Sequence, residues 1–310
     1  MKSLTVATRA GKLALAQTRI IIRLLEKIHP GLQIKIKKIT TEGDINRKTS
    51  LWQLKSTGFF TSKIEDSLLA GLADFAVHSF KDLPTKQTTG LKIIAVCARS
   101  FPEDCLVSAE KIISLNQLKT AAKIGTSSLR RAVQIKRLRS DLNVVPVRGN
   151  VTTRIKKVDE GRFDAVILAR AGLERINLAR KISFCFDPEQ FLPAPAQGAL
   201  AVQTRADDKI TNKLLLPLND KNVEIQTLAE RQILTATRCG CRAPVGAFAK
   251  ISADDITITA FISDTEGKNF IKRQVAGPAD SALNLADTLA GQLLDAGGKK
   301  ILEQIKTNNG

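Results

Sequence analysis

The chain predicts an α/β protein: two doubly wound domains followed by a small α+β C-terminal domain. Three observations carry that prediction. Apolar strand-like runs alternate with helical runs through the first two-thirds of the 310 residues. The rhythm breaks and restarts at Arg99-Ser-Phe-Pro102 and again at Leu192-Pro-Ala-Pro-Ala-Gln-Gly198. The last third then changes to a hairpin and helices. The length suits two or three domains. The expected division is 1–98 with 197–217 for the first, 99–196 for the second and 218–310 for the third.

Taken in order, Leu4–Ala7 reads as a strand and Leu13–Ile28 as a helix stopped by His29-Pro-Gly31. Gln33–Thr40 is a strand, with Ile34 and Ile36 alternating against Lys35 and Lys37. Ser62–Leu72 predicts a helix, and Asp74–Ser79 and Leu91–Ala98 predict strands. This is the rhythm of a largely parallel sheet with helices on both faces. After the first crossing, Lys123-Ile-Gly125 ends a strand and Ser127 opens a helix. Asn143–Arg148, Thr152–Glu160 and Asp164–Ala169 repeat strand, helix, strand. Ala199–Thr204 is expected to return to the first sheet, so that two domains joined by two crossings frame a cleft. Glu224–Thr237 is helical; Thr257–Ile262 and Phe270–Val275 flank a turn at Asp264-Thr-Glu-Gly267. Ala279–Ala296 predicts one amphipathic helix ending at Gly297-Gly298.

Composition narrows the function. At 43% hydrophobic the chain buries real cores and is not disordered. It has no apolar run of about 18 residues, so no transmembrane helix is expected, and its first residues lack a signal-peptide core. Five cysteines, an odd number without metal spacing, suit reduced thiols in a cytoplasm. With only His29 and His78 as histidines, a His/Cys metal site has little support. The net charge of +18 attracts anions, either nucleic acid or small polycarboxylates and phosphates. Aromatic residues make up only 4%, Tyr is absent, and no nucleic-acid motif occurs, which weakens the first option.

Chemistry concentrates in a few segments. Phe75–Val77 runs straight into His78, Ser79, Lys81 and Asp82, with Pro84 as a stop. Such a segment delivers polar groups at the carboxyl edge of a sheet, where α/β folds bind ligands. Lys81 beside Asp82 is an acid–base pair, because a neighbouring cation favours a charged carboxylate. A surface ion pair on a loop is the alternative. Cations and hydroxyls recur at other strand-to-helix junctions: Ala7-Thr-Arg9, Gly125-Thr-Ser-Ser-Leu-Arg-Arg131 and Val147-Arg-Gly-Asn-Val-Thr-Thr-Arg154. Helix N-termini and arginines suit carboxylates or phosphates. No G-x-x-x-x-G-K-[ST] or G-x-G-x-x-G occurs, so a nucleotide loop is unsupported. Arg238-Cys-Gly-Cys-Arg-Ala-Pro-Val-Gly246 reads as a loop in which arginines favour a thiolate. An inert thiol is the alternative.

Together these residues resemble the porphobilinogen deaminase (hydroxymethylbilane synthase) family over nearly the whole length. The resemblance rests on Ala7-Thr-Arg9 with Leu13-Ala14, Val77-His-Ser-Phe-Lys-Asp-Leu-Pro84, Gly125-Thr-Ser-Ser-Leu-Arg-Arg131, Arg148-Gly-Asn150 with Thr153-Arg154, Pro195-Ala-Gln-Gly198, and Gly240-Cys241 with Pro244. It implies three domains, the first two like periplasmic binding proteins. It implies a cytoplasmic, monomeric transferase of tetrapyrrole (haem) biosynthesis that joins four porphobilinogen molecules head to tail with loss of ammonia. It also implies a dipyrromethane cofactor, thioether-linked to Cys241, and no membrane or nucleic-acid partner. By the same resemblance Asp82 is the catalytic carboxylate. Arg9, Lys81, Arg130, Arg131, Arg148, Arg154 and Arg175 match positions that hold pyrrole carboxylates. Ser79, Thr126, Ser127 and Ser128 add neutral donors, and Gln17 and Gln197 are further candidates. Lys81, Ser79, Thr126, Ser127, Ser128, Arg130, Arg131 and Arg154 are assigned to the cofactor; Arg9, Gln17, Arg148, Arg175 and Gln197 are assigned to the substrate.

Three positions depart from the family pattern. Gly11 stands where a serine is usual, Thr57 where a loop lysine is usual with Lys55 nearby, and Cys239 where glycine is usual. Two rival readings remain: a solute-binding protein with the same two-domain cleft, and a nucleic-acid-binding module driven by charge. Neither accounts for the ordered set of motifs.

Overall fold

A computed structural model describes residues 3–40, 62–238 and 243–307. In chain order, β1 (Ser3–Arg9), α1 (Lys12–Ile28), β2 (Gln33–Ile39), α2 (Ser62–Leu69), β3 (Phe75–Ser79) and β4 (Leu91–Cys97) come first. Next come β5 (Asp104–Ser108), β6 (Lys123–Gly125), α3 (Leu129–Leu138), β7 (Asn143–Val145), α4 (Val151–Asp159), β8 (Ala165–Ala169), α5 (Arg170–Arg175) and β9 (Phe184–Cys185). The chain continues through β10 (Leu200–Arg205), α6 (Lys209–Leu215), α7 (Lys221–Thr237), β11 (Val245–Ser252), β12 (Asp255–Ser263), β13 (Phe270–Pro278), α8 (Ala282–Leu293) and α9 (Lys299–Thr307).

Two compact units emerge: residues 1–100 with 198–224, and residues 101–197 with 225–310. The first holds a five-stranded sheet in the order β2-β1-β3-β10-β4. Its first three strands are parallel, with Leu4 opposite Ile34 and Val6 opposite both Ile36 and Phe75. As expected, β10 returns to this sheet, but it lies antiparallel between β3 and β4. Val6, Ile21, Leu25, Phe75, Val77 and Val202 pack in its core.

The second unit holds a sheet in the order β7-β6-β8-β5-β9. Here β6, β7 and β8 are parallel, and β5 is antiparallel to β8 and β9. The two sheets therefore share one plan, a parallel trio completed by an antiparallel strand. In each case that strand is the first after a crossing. A chain entering a sheet from outside, without a crossover helix, need not run parallel to its neighbour. Four of the five strands in each sheet run the same way, so the expectation of largely parallel sheets holds, with one antiparallel strand in each. Strand β5 was not expected at all, because Asp104 at its head interrupts the apolar run of Cys105-Leu-Val107.

The rest of the second unit is the three-stranded antiparallel sheet β11-β12-β13. Its core joins Ala229 and Ile233 of α7 to Ile256, Ile258, Leu289, Leu293, Ile301, Leu302 and Ile305. The hairpin of β12 and β13 is as expected, pairing Ser263 with Phe270. The glycine pair ends one helical run, as expected, but a further helix follows it. Gly297 adopts φ +111°, and a Cβ on Gly298 would stand 2.5 Å from the Leu293 carbonyl oxygen. The chain turns there and resumes as α9, whose Ile301, Leu302 and Ile305 at helical spacing return to the core. This module leans on the second sheet through Phe261, which packs with Val133 and Leu192. Glu230 of α7, fully buried, accepts hydrogen bonds from the backbone N–H of Ala196 (2.6 Å) and of Ala249 (2.8 Å).

Candidate functional site

In the first unit the polar groups gather at the carboxyl ends of β1 and β3. After β3 the chain makes a single 3-10 turn, Phe80–Asp82. Phe80 is fully buried and its N–H donates to the Ala199 carbonyl (3.1 Å); Leu83 is buried as well. These two apolar anchors leave Asp82 exposed and Lys81 half-buried. Ser79 at the strand end accepts a hydrogen bond from Nε2 of Gln17 on α1 (2.7 Å). Arg9, half-buried, ends β1. Gly11 occupies the N-cap position of α1, without a side-chain cap and with open space around its Cα.

His78 does not belong to this polar set. Its Nε2 faces Oε1 of Gln203 (3.1 Å), whose Nε2 donates to Glu65 (3.0 Å), which in turn accepts from Thr88 (3.0 Å). Burial lowers His78 to about 4, against a weaker opposing effect of the Gln203 hydrogen bond. The ring is neutral and locks β3 to β10.

In the second unit the groups follow β6, β7 and β8. The structure turns part of this set inward. Asp104 of β5 is fully buried, and a buried carboxylate requires cationic partners. Arg130 Nη1 donates to Asp104 Oδ2 (2.8 Å) and to the Leu192 carbonyl (2.6 Å). Arg131 donates from Nε (3.1 Å) and Nη2 (2.7 Å) to Asp104 Oδ1, and from Nη1 to the Ile167 carbonyl (3.1 Å). Gln197 Nε2 donates to the same Oδ1 (2.9 Å) and to the Pro102 carbonyl (2.7 Å). Burial pushes the Asp104 carboxyl up, but Arg130 and Arg131 outweigh it and hold it well below the usual carboxylate range.

Arg130, Arg131 and Gln197, expected to face ligand, thus each donate to the buried Asp104 within the protein. Sequence reading missed Asp104 because it missed β5; the available signal was an acid opening an apolar run. Ser127 is committed too. Its hydroxyl donates to the Val147 carbonyl (2.6 Å) and accepts from the Val147 N–H (3.2 Å). Ser128 caps α3 by accepting from the Arg131 N–H (3.4 Å), and the buried Thr126 hydroxyl accepts from the Ser128 N–H (3.2 Å).

Arg148 and Arg154 behave differently. Nη2 of Arg148 is buried and has no hydrogen-bond partner. Arg154 donates from Nε to the Gly149 carbonyl (2.8 Å). Burial, with Arg131 and Arg148 adding to it, lowers Arg154 to about 10. Guanidinium groups this close repel one another until an anion lies among them. Arg175, half-buried, sits in the last turn of α5. Lys55, Thr57, Cys239 and Cys241 fall outside the described residues. Among the described residues no His, Cys, Asp and Glu cluster suits a metal, and no helix is long and apolar enough to cross a membrane.

Against known proteins, a family model described as "Porphobilinogen deaminase, dipyromethane cofactor binding domain" matches residues 4–213. The chain belongs to the porphobilinogen deaminase family. A second model, "Porphobilinogen deaminase, C-terminal domain", matches residues 225–295. A porphobilinogen deaminase of Roseiflexus sp. (strain RS-1) is 40% identical over 301 residues, 97% of this chain and 99% of its own. One of Maridesulfovibrio salexigens is 40% identical over 305 residues, 98% and 99% of the two chains. Among solved structures, the methionine-binding protein MetQ aligns over 72% of this chain and 92% of its own, at 12% identity and a TM-score of 0.46. Family membership makes the chain an enzyme, a transferase of tetrapyrrole biosynthesis that uses a dipyrromethane cofactor.

The residues present fit that group. A dipyrromethane derived from porphobilinogen carries acetate and propionate side chains. The unpartnered buried nitrogen of Arg148 and the crowded charge of Arg154 are what a polycarboxylate would satisfy.

Proposed function

We propose that this chain is a hydroxymethylbilane synthase, condensing four porphobilinogen molecules head to tail with release of ammonia. The proposal takes Cys241 as the covalent anchor of the dipyrromethane, by its register with Pro244 and Gly246. When bound, the dipyrromethane supplies the free α-carbon at which chain growth starts. The observation that carries the reading is the display of Asp82, held exposed at the end of β3 by the buried Phe80 and Leu83.

The roles of the chain's own residues follow from charge. Loss of ammonia from the aminomethyl arm of porphobilinogen leaves a cationic, azafulvene-like pyrrole. The Asp82 carboxylate stabilises that charge and relays protons to and from the pyrrole nitrogen. Arg9, as a cationic partner for the carboxylates of the substrate, and Lys81, as one for those of the dipyrromethane, flank it in sequence and topology. Ser79, held by Gln17, offers a hydroxyl at the same strand end. Arg148 and Arg154 hold carboxylates in the second unit, with Arg175 as a further cation. Arg130 and Arg131 are held by Asp104, and the charge of Arg131 adds to that of Arg148 at Arg154.

The proposed enzyme works as a cytoplasmic monomer with porphobilinogen as its partner and without nucleic acid or membrane. Its test is the intact mass of the denatured protein. An excess equal to two linked pyrrole units, lost in Cys241→Ser and retained in Cys239→Ser, supports both cofactor and anchor. Attachment retained in Cys241→Ser overturns the anchor. Failure to consume porphobilinogen by protein carrying the two-pyrrole mass overturns the activity.

A further inference from the structure

Two cysteines outside every motif above stand directly opposite each other. In the antiparallel pairing of β5 with the edge strand β9, Cys105 is the register partner of Cys185. The N–H of Phe186 donates to the carbonyl of Asp104 (2.9 Å), a ladder bond of the kind that flanks a non-hydrogen-bonded pair. Such pairs alternate along an antiparallel ladder, so Cys105 and Cys185 form the non-hydrogen-bonded pair beside it. In pairs of that kind the side chains project from the same face and the Cα atoms are about 4.5 Å apart. Disulfides use Cα separations of about 4.4–6.8 Å. Both thiols are free in the structure.

The two differ in access. Cys185 is exposed, whereas Cys105 is fully buried with its Sγ hydrogen-bonded to the Leu168 carbonyl (3.5 Å). Burial raises both thiols, and the Arg170 guanidinium opposes that rise at each of them. An exposed thiol with a buried partner one strand away is the arrangement of an attacking and a resolving cysteine.

We propose that Cys105 and Cys185 are a peroxide-responsive dithiol that closes to a disulfide between β5 and β9. The oxidant is a hydroperoxide. The Cys185 thiolate attacks one peroxide oxygen; the O–O bond breaks, and the departing oxygen leaves as water after protonation. The resulting sulfenic acid is attacked by Cys105 Sγ; the S–O bond breaks, and its oxygen leaves as a second water with the Cys105 proton. Two thiols and one hydrogen peroxide give one disulfide and two waters. The bond pins the edge strand beside Asp104, the acceptor that holds Arg130 and Arg131. Burial, with Asp104 at Cys105 and with Glu103 and Glu174 at Cys185, raises both thiols against Arg131 and Arg170, so closure is slow at neutral pH and accelerates as pH rises.

The experiment treats the full-length protein with hydrogen peroxide, alkylates the remaining thiols under denaturing conditions, and maps the products by peptide mass spectrometry. The expected result is loss of two alkylatable thiols, a cross-linked peptide pair containing Cys105 and Cys185, and recovery of both thiols with a reductant. In C185S, a change at an exposed position, Cys105 should stay alkylatable after the same treatment. Cys185 oxidised to the sulfinic acid with Cys105 still alkylatable overturns the proposal. So does a disulfide joining either residue to Cys97, Cys239 or Cys241, or loss of the Cys105 thiol in C185S. Circular dichroism of each sample confirms that the comparison is between folded proteins.

Discussion

Asp104 receives Arg131 through a single oxygen: Oδ1 accepts from both Nε (3.1 Å) and Nη2 (2.7 Å) of the guanidinium. The same oxygen accepts from Gln197, while Oδ2 serves Arg130. One fully buried carboxylate therefore ties α3 and the second crossing to β5. Removing it strands two buried guanidinium groups. Asp104→Ala should destabilise the protein by about 3–5 kcal/mol, read by urea unfolding. A loss below about 1 kcal/mol would show that the network is dispensable.

Acid stability has two separable windows. The folded-state pKa of His78 is lowered to about 4, whereas an unperturbed histidine titrates near 6.5. On acidification the unfolded chain takes up this proton first. The neutral-ring contribution, on the order of 3 kcal/mol, is therefore complete above about pH 6.5 and lost as pH falls towards 4. Asp104, depressed instead from the carboxylate range, contributes above about pH 4 and is lost only below it. Unfolding free energies measured from pH 7 to pH 4 should fall in wild type and fall less in His78→Gln. Equal slopes would refute the assignment to His78.

Arg148 presents the opposite case. Its buried Nη2 has no protein partner, and its charge opposes that of Arg154. Arg148→Ala should cost at least about tenfold in kcat/KM for porphobilinogen, about 1.4 kcal/mol of transition-state stabilisation. Its melting temperature should not fall. A drop in melting temperature with unchanged kinetics would make Arg148 structural.

Asp82 is exposed, and buried Phe80 and Leu83 hold its turn in place without it. Asp82→Ala should unfold at the wild-type urea concentration, within about 0.5 kcal/mol, and lose nearly all turnover. Near-normal turnover would remove its catalytic role.

Gly11 leaves α1 uncapped, with extended backbone (φ −68°, ψ 148°) that any residue adopts and space for a side chain. Gly11→Ser should raise stability by a few tenths to about 1 kcal/mol. A serine hydroxyl beside Arg9 should also lower KM for porphobilinogen. A rise in KM would show that the open space itself serves the substrate.

Much of this was legible in the linear order of residues. Leu4, Val6, Phe75 and Val77 read as strands because alternation and apolar runs are local properties. Lys81, Asp82, Arg148 and Arg154 read as a site because helix starts and strand ends punctuate the chain. The six ordered motifs were enough to place it in its family. What could not be read was which polar groups face each other across long separations. Asp104 lies 93 residues from Gln197, and Cys105 lies 80 residues from Cys185. The glycine pair read as a stop because Gly297 and Gly298 do end one helix. Only the packing of Ile301, Leu302 and Ile305 shows that another follows.

By itself the sequence determined the family and most of the element types, since these show in runs and motifs of neighbouring residues. Tertiary structure alone decided that Arg130, Arg131 and Gln197 turn inward while Arg148 keeps an unsatisfied nitrogen. That choice belongs to a buried carboxylate. Its desolvation has to be offset by whichever cations the antiparallel strand β5 brings within reach, and chain order does not encode that strand's direction or register.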